Sequence, residues 1–589
     1  MDTPTKLKTL RKLMQKHQVN AFIVYSADPH MSEYLPEEWK EREWLSGFTG
    51  SAGLVVVTLD KAGLWTDSRY FVQATEELKN SGIELFKQGI EGFPHYMEWI
   101  KSEVERDGTV AINGLCCAHD DWQLLEQKLA VKDIKVKDLP LLAKLWDTRI
   151  AGEMQPIITQ PLEYAGQSAK DKLAIIREKM QESNTTMHLV SSLDDIAWIL
   201  NLRGFDVAYN PVFLSYLLIT NEDATLFVNM EKCSPTVKKQ LDEANVRLAE
   251  YEDFFQYLTN VKNQRILIAA HSNQTIFERL QDDNDFYYAT PPSQLLKAVK
   301  NATEIEGMRK AMQKDGVALV HFLYWLKKAV GSEPLSEYEV GKKLLSFRAE
   351  QEGFQGASFG TIAGYNENGA IVHYSAKAEN AKSLTDSGSL LLDSGGQYLE
   401  GTTDITRTIP LGNTSEIFNK DYTLVLKGMI ALTLARFPKG SKGCNIDAIA
   451  RQPLWQNLRN YGHGTGHGVG CFLNVHEGPQ SIRQELKDQE ILPGMITSNE
   501  PGLYREGEYG IRHENLILCK EDETSEFGNF YAHETLTICP FFTEPIIKEL
   551  LNDEELKWLN EYNQWVYQNL SSELDEEHKN WLKEVCKSI

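Results

Sequence analysis

The chain has 589 residues, of which 42% are hydrophobic and 25% charged, and its formal net charge is −23. That length exceeds what one hydrophobic core serves, so two to four domains of ordinary globular composition are expected. The acidic balance excludes a surface of concentrated Lys and Arg for phosphate recognition, and no nucleic-acid partner is expected.

The opening "MDTPTKLKTLRKLMQKHQ" lacks the apolar segment of a signal peptide. It reads as an amphipathic helix, with Leu7, Leu10, Leu13 and Met14 at helical spacing and Pro4 near its start. No apolar run is long enough to span a bilayer, so no membrane partner is expected. The eight cysteines form no C-x-x-C pair. Cys116 and Cys117 are adjacent and the others scattered, a pattern that suits free thiols in a reducing cytoplasm.

After the first helix come a strand, "AFIVY" (21–25), a polar loop and helix, and "SGFTGSAGLVVVT", a Gly-rich turn entering a second buried strand. Strand and helix patterns alternate to about residue 140, which predicts an α/β domain over 1–150. "LWDTRIAGEMQPIITQP" (145–161) has two prolines and little periodicity and reads as a linker. A second α/β domain is expected over 151–300. Its "MHLVSSLDDIAWILNLRG…PVFLSYLLIT" echoes "AFIVYSADPHMSEY…REWLSGFTGSAGLVVVT", which indicates an internal duplication.

The third domain is expected over 301–589. "TEIE" predicts a capping box with Thr303 as N-cap and Glu306 three residues on. A long helix should follow, with Met308, Met312, Leu319, Phe322, Leu323 and Leu326 on its apolar face. From about 355 to 540 the pattern is strand-rich, and the tail returns to helix with a second capping box at Asn552.

Four carboxylates in this third region occupy apolar strand contexts from which acids are normally excluded. "SLLLDSGGQYLEGTTDITRTI" places Asp393 at the end of one apolar run and Asp404 at the start of an alternating one. "GMITSNEPGLY" puts Glu500 at a strand end, and "YGIRHENLILC" puts Glu514 inside a hydrophobic strand. Singly, each has a structural reading: Asp393 capping a turn, Glu514 paired with Arg512 or His513. Together they form a cluster that cannot stay ionised when buried without cations. Two divalent ions balance four carboxylates, and a fifth, neutral ligand should be a histidine, a donor set suited to Mn²⁺, Co²⁺, Fe²⁺ or Zn²⁺. The stretch "YGHGTGHGVG" offers His463 and His467 four residues apart, but five glycines in ten residues argue against a shared helical face. The Gly395–Gly396 pair reads as a turn, since no helix or Lys follows in P-loop register.

The order "DSG…TTDITRT", "GHGTGHGVG", "NEPG", "GIRHEN" resembles the metallopeptidase family with the pita-bread fold. "SEYLPEEWKEREWLSGFTGSAG", "WTDSRY", "LDDIAWILNLRG", "VHYS", "FLNVHEGP" and "LDEEHKNWL" extend the likeness to long, three-domain, cytosolic-type aminopeptidases of that family, with Ser68 a minor departure where glycine is expected. The resemblance implies two N-terminal creatinase-like α/β domains followed by a C-terminal pita-bread domain. It implies Asp393, Asp404, His467, Glu500 and Glu514 as ligands of two divalent ions, Mn²⁺ by family preference with Co²⁺ or Zn²⁺ as alternatives. A water bridging such ions has its pKa lowered toward neutrality, and Glu500 is expected to shuttle its proton.

The implied substrates are peptides with proline second, from which the first residue is released. His476 is expected to hydrogen-bond the scissile carbonyl, with His373 and His463 flanking the proline. Arg512, on the same strand face as Glu514, and Tyr504 are expected to orient ligand carboxylates beside the substrate. The glycines around His463 and His467 are expected to let backbone lie close to the metals and the proline slot. A homodimer in the cytoplasm is implied as well. The alternatives are a prolidase, restricted to Xaa-Pro dipeptides, and a metal-free peptide-binding relative, which the intact ligand set disfavours.

Overall fold

The protein is described here by a computed structural model covering residues 1–149, 152–280 and 283–589. The chain divides into two compact units, Met1–Gln160 with Gln167–Ser293, and Pro161–Gly166 with Gln294–Ile589. The domain boundary expected between Ile150 and Ala151 falls outside the described residues.

In the first unit the helix Thr3–Lys16 starts where expected. Asp2 caps it by accepting from the Thr5 N–H, Pro4 occupies the first turn, and Leu7, Leu10 and Met14 are buried while Leu13 is half-buried. Ala21–Tyr25 is a central strand of a six-stranded sheet. It runs antiparallel to Leu54–Thr58 and parallel to Thr109–Ile112. Outward from these lie Ala62–Thr66 with Glu84–Lys87 on one side and Lys135–Asp138 on the other.

A second six-stranded sheet repeats this plan around Met187–Val190. That strand is antiparallel to Ser215–Thr220 and parallel to Arg265–Ile268, with Ala224–Val228, Val246–Ala249 and Asp285–Tyr288 outside them. Identical order and strand directions bear out the duplication read from the sequence. The halves meet through His30, whose ring nitrogens lie 2.9 Å from Ser191 O and from the Tyr251 hydroxyl, and through Asn273, which donates to Pro29 O at 2.6 Å.

The second unit opens with the helix Ala302–Ala329. Its capping box lies two residues earlier than the sequence suggested. The Asn301 side chain accepts from the Thr303 and Glu304 N–H groups, and Glu304 accepts from the Asn301 N–H. Asn301 also donates to Ala165 O at 2.9 Å, a tertiary contact that TEIE spacing alone does not reveal. The apolar face, Met308 to Leu326, is buried as expected.

Ile362–Tyr365, Ser389–Ser394 and Ile405–Pro410 form a three-stranded antiparallel sheet. A six-stranded sheet follows in the order Phe437–Pro438, Gly528–Thr535, Asn515–Ser525, Ile496–Asn499, Gly466–Gly468, Glu477–Ile482. Gly502–Arg505 and Tyr509–Arg512 pair alone. The segment read as strand-rich also holds two helices, Glu416–Leu434 and Gly443–Trp455, which pack on one another. The first is buried on nearly every side, so no polar face marks its period, and the second carries Pro453 inside it. The tail helix Asp553–Leu570 begins with the expected capping box at Asn552.

Replacing Asn301 with alanine should lower the stability of the second unit by about 1–2 kcal/mol, because cap and tertiary bond are both lost. Thr303→Ala should cost less than about 0.5 kcal/mol. Denaturant midpoints of the two variants check this, and a larger loss for Thr303→Ala would restore the register read from sequence.

Candidate metal centre

The four expected carboxylate ligands come from four separate strand ends, and His467 from a fifth strand. Asp393 is the penultimate residue of Ser389–Ser394 and pairs with Thr406, while Asp404 immediately precedes the partner strand Ile405–Pro410. The two aspartates are therefore presented side by side. Asn499 pairs with Asn515, so Glu500, just beyond one strand, and Glu514, just before the other, leave the sheet at the same end. Glu514 thus sits at the corner between Tyr509–Arg512 and Asn515–Ser525, and not within a strand as the sequence suggested.

His467 lies on Gly466–Gly468, which neighbours Ile496–Asn499 through Gly468 and Thr497. Its Nδ1–H donates to Gly468 O at 2.9 Å, which directs Nε2 toward Asp404 Oδ2 at 3.4 Å and Glu500 Oε1 at 3.6 Å. Asp404, His467 and Glu514 each offer a ligand atom within 4.8 Å of the others, and among the described residues this is the metal-competent group found.

Two buried carboxylate oxygens here, Asp393 Oδ1 and Glu514 Oε1, have no hydrogen-bond partner. Such atoms are costly unless a cation meets them. Hard oxygens plus one imidazole match the coordination preferences of divalent first-row ions, so the residues present fit the metals that the sequence implies. The electrostatics agree. Burial pushes Glu500 up to about 7, with His467 and Arg512 opposing and Asp404 and Asp393 adding to the rise. Burial and the same acidic neighbours hold Glu514 well above its ordinary range, and burial also raises Asp393 against the pull of Arg512. Burial disfavours a charged His467, but its contact with Asp404 and the charges of Glu500 and Asp404 win and raise it to about 9.

Arg512 is buried and donates to Asp393 Oδ2 at 2.5 Å, to the Tyr504 hydroxyl at 2.7 Å and to Thr406 Oγ1 at 3.1 Å. Its donors are thus turned toward protein groups. Tyr504 in turn donates to His463 Nε2 at 2.7 Å, since His463 Nδ1–H is given to Gly464 O at 2.7 Å. The His476 ring stands edge-on to the His467 ring, centroids 4.3 Å apart. His373 lies half-buried between Ile371 and Tyr374, which join Tyr504 and Leu391 in one small apolar cluster.

Several supporting residues escaped the sequence reading. Thr406 donates to Glu514 Oε2 at 2.8 Å. The Ser498 hydroxyl accepts from the His467 N–H at 3.0 Å and donates to Glu500 Oε1 at 3.2 Å. Arg407, buried over the Phe541 ring, donates to Glu514 O and Asn515 Oδ1 and so fixes the corner that bears Glu514. The alternation in "DITRT" signalled Thr406. Arg407 carries no local signal, because Glu514 and Asn515 come from a distant strand, and the same holds for the bond of Ser498 to His467.

Two of the glycines also meet a packing demand that the sequence does not announce. A Cβ on Gly466 would lie 2.0 Å from Ser498 O, and one on Gly468 would lie 2.3 Å from Glu477 O. Gly466 and Gly468 admit neighbouring strand backbone, which fixes the register of His467 between Glu500 and His476.

The proton uptake of the metal-free centre has a definite sign. Glu500 moves from 4.5 to about 7 and His467 from 6.5 to about 9. In both intervals the folded chain holds a proton that the unfolded chain has released, so metal-free stability falls as pH rises. Metal binding needs these groups deprotonated. The gap in thermal midpoint between metal-loaded and metal-stripped protein should therefore widen from pH 6 to pH 8; a constant or narrowing gap would contradict the geometry.

The model of metallopeptidase family M24 matches residues 306–521, and that of the C-terminal region of peptidase M24 matches 529–589. Two models described as Creatinase/Prolidase N-terminal domain match 6–144 and 148–304. Proteins named probable Xaa-Pro aminopeptidase P from Laccaria bicolor and Ajellomyces capsulatus are 37% and 38% identical over 100% of this chain and 94% and 100% of theirs. A solved X-prolyl aminopeptidase from Caenorhabditis elegans, described as a cytosolic enzyme with a di-nuclear active site, superposes with a TM-score of 0.96 at 31% identity, covering 100% of both chains. The prolidase of Pyrococcus horikoshii, 22% identical with a TM-score of 0.51 over 63% of this chain and 99% of its own, shares the fold. By full-length sequence likeness and by fold, this chain belongs to metallopeptidase family M24.

Proposed function

We propose that this chain is a metal-dependent exopeptidase that releases the first residue from peptides with proline in the second position. The observation that carries the reading is the convergence of Asp393, Asp404, His467, Glu500 and Glu514 from separate strands, with two of their buried oxygens unpartnered. The full-length likeness to proteins named Xaa-Pro aminopeptidase P supports the substrate class.

These five side chains would hold two divalent ions. When bound, such ions supply an activated water and polarise the scissile carbonyl. Glu500 takes the proton of the attacking water and passes it toward the leaving nitrogen, as a carboxylate placed beside the attacking water can. That nitrogen belongs to proline and has no N–H of its own, so its departure depends on this delivery. His476 donates to the carbonyl oxygen as charge builds on it. His463 and His373 flank the proline ring. Arg512 holds Asp393 and, with Tyr504, links that ligand to His463.

Further elements of the proposal are finer. The ions are taken to be Mn²⁺, which suits oxygen-rich donors. The compartment is taken to be the cytoplasm, which all eight cysteines being free thiols supports. The chain is taken to be a homodimer of three-domain subunits with boundaries near 150 and 300; the exposed Trp455 and fully exposed Leu458 supply apolar surface for such pairing.

Arg-Pro-Pro should be cleaved to free arginine and Pro-Pro, lose cleavage on metal stripping and regain it with Mn²⁺. Asp404→Asn should lower kcat by at least about a hundredfold. Activity confined to Xaa-Pro dipeptides would instead identify a prolidase, and full activity without metal would end the proposal.

A further inference from the structure

The loop between His467 and His476 is held in an unusual shape. Phe472, fully buried, adopts φ +50, a conformation that bulky residues rarely take unless their surroundings enforce it. Gln397 donates to Leu473 O at 2.8 Å, and the Leu473 N–H donates to Thr402 Oγ1 at 3.2 Å. Beyond His476 the loop ends at Glu477, which enters the strand Glu477–Ile482 opposite Gly468.

The Glu477 side chain is fully buried, with two ammonium groups facing it. Lys300 is in ion-pair contact with Oε1, and Lys297 Nζ lies 3.8 Å from Oε2; the three side chains are at most 2% exposed. Lys300 Nζ also donates to Lys297 O at 2.8 Å, and the Lys300 N–H donates to Gly494 O at 3.0 Å. Its neighbour Val299 bridges Met495, the residue before the strand Ile496–Asn499 that presents Glu500. Lys300 therefore clamps the end of the His476 loop to the start of the Glu500 strand. Buried ions are a poor means of stabilising a core, since packed apolar groups of equal volume serve at least as well, but they fix a side chain in direction and register.

We propose that Lys300 and Glu477 are positioning residues for His476, holding its imidazole against His467 so that it meets the scissile carbonyl oxygen. The inference rests on the proposed reading of His476. It predicts a loss in the transition state rather than in substrate binding.

Glu477→Gln, and the charge-neutral pair Lys300→Met with Glu477→Gln, should each lower kcat on Arg-Pro-Pro by about ten- to a hundredfold, with two metals per subunit retained. KM should stay within about twofold, and adding either change to His476→Ala should cost less than about twofold more. A purely structural pair gives a different result: losses that multiply with His476→Ala, or kcat that recovers in the neutral pair together with the thermal midpoint. Either would overturn the inference. Wild-type kcat in His476→Ala alone would instead remove the reading of His476 and the inference with it, so one variant separates the two failures.

Discussion

Burial of several carboxylates beside one another is the constraint around which the candidate centre is built. Asp393, Asp404, Glu500 and Glu514 are gathered where water is largely excluded; burial raises the cost of ionising Asp393, Glu500 and Glu514, and the charge of Asp404 adds to it for each of them. Arg512 offsets part of that charge, and protonated His467 offsets another part in the absence of metal. The arrangement is self-consistent in its ionised form only with divalent ions present. The carboxylates are accordingly placed at strand ends, where several strands deliver side chains to one point without breaking their ladders.

The surrounding residues divide the oxygens rather than neutralise them. Asp393 gives one oxygen to Arg512 and keeps the other unpartnered; Glu514 gives one to Thr406 and keeps the other unpartnered. Each carboxylate is thus oriented by a protein bond while a lone pair remains available to a cation, as neighbouring groups do at metal sites. Gly468 O does the same for His467 by holding the proton on Nδ1. Arg407 extends the support outward, joining the Glu514 corner to Cys539 O and to Tyr562 of the tail helix. The helix Asp553–Leu570 is in this way part of the scaffold of the centre.

What the sequence disclosed follows the range of the forces involved. Strand and helix periodicity marked the duplicated sheets, because hydrophobic patterning is local and each repeat shows it twice. The four carboxylates stand out because acids in apolar contexts violate patterning, and a violation at four places is informative, whereas His467 is set apart from His463 only by the family resemblance. The helix Glu416–Leu434 was missed for the opposite reason: buried all round, it shows no polar face. The capping box was misplaced because Asn301 and Thr303 both fit the local rule, and the choice was made by Ala165, distant in sequence. Arg407, Ser498 and the Lys300–Glu477 pair each depend on a partner far away in sequence, which their own neighbourhoods do not announce.

The stretch from Tyr461 to Gly470 shows how two histidines four residues apart acquire separate tasks. On a helix they would share a face, but here Gly466 and Gly468 form a strand against Ser498 and Glu477. Backbone approach that close leaves no space for any Cβ, so the glycines are dictated by sheet packing. The strand aims His467 into the carboxylates, while His463, still in the preceding loop, is drawn to Tyr504 and thereby to Arg512 and Asp393. Arg451 secures that loop by donating to Tyr461 O and His463 O while paired with Asp447, whose other oxygen accepts from Thr465. Thr465 O then accepts the Glu500 N–H. One chain of hydrogen bonds therefore runs from the loop of His463 to the backbone of Glu500, and displacement of either end is felt by the other.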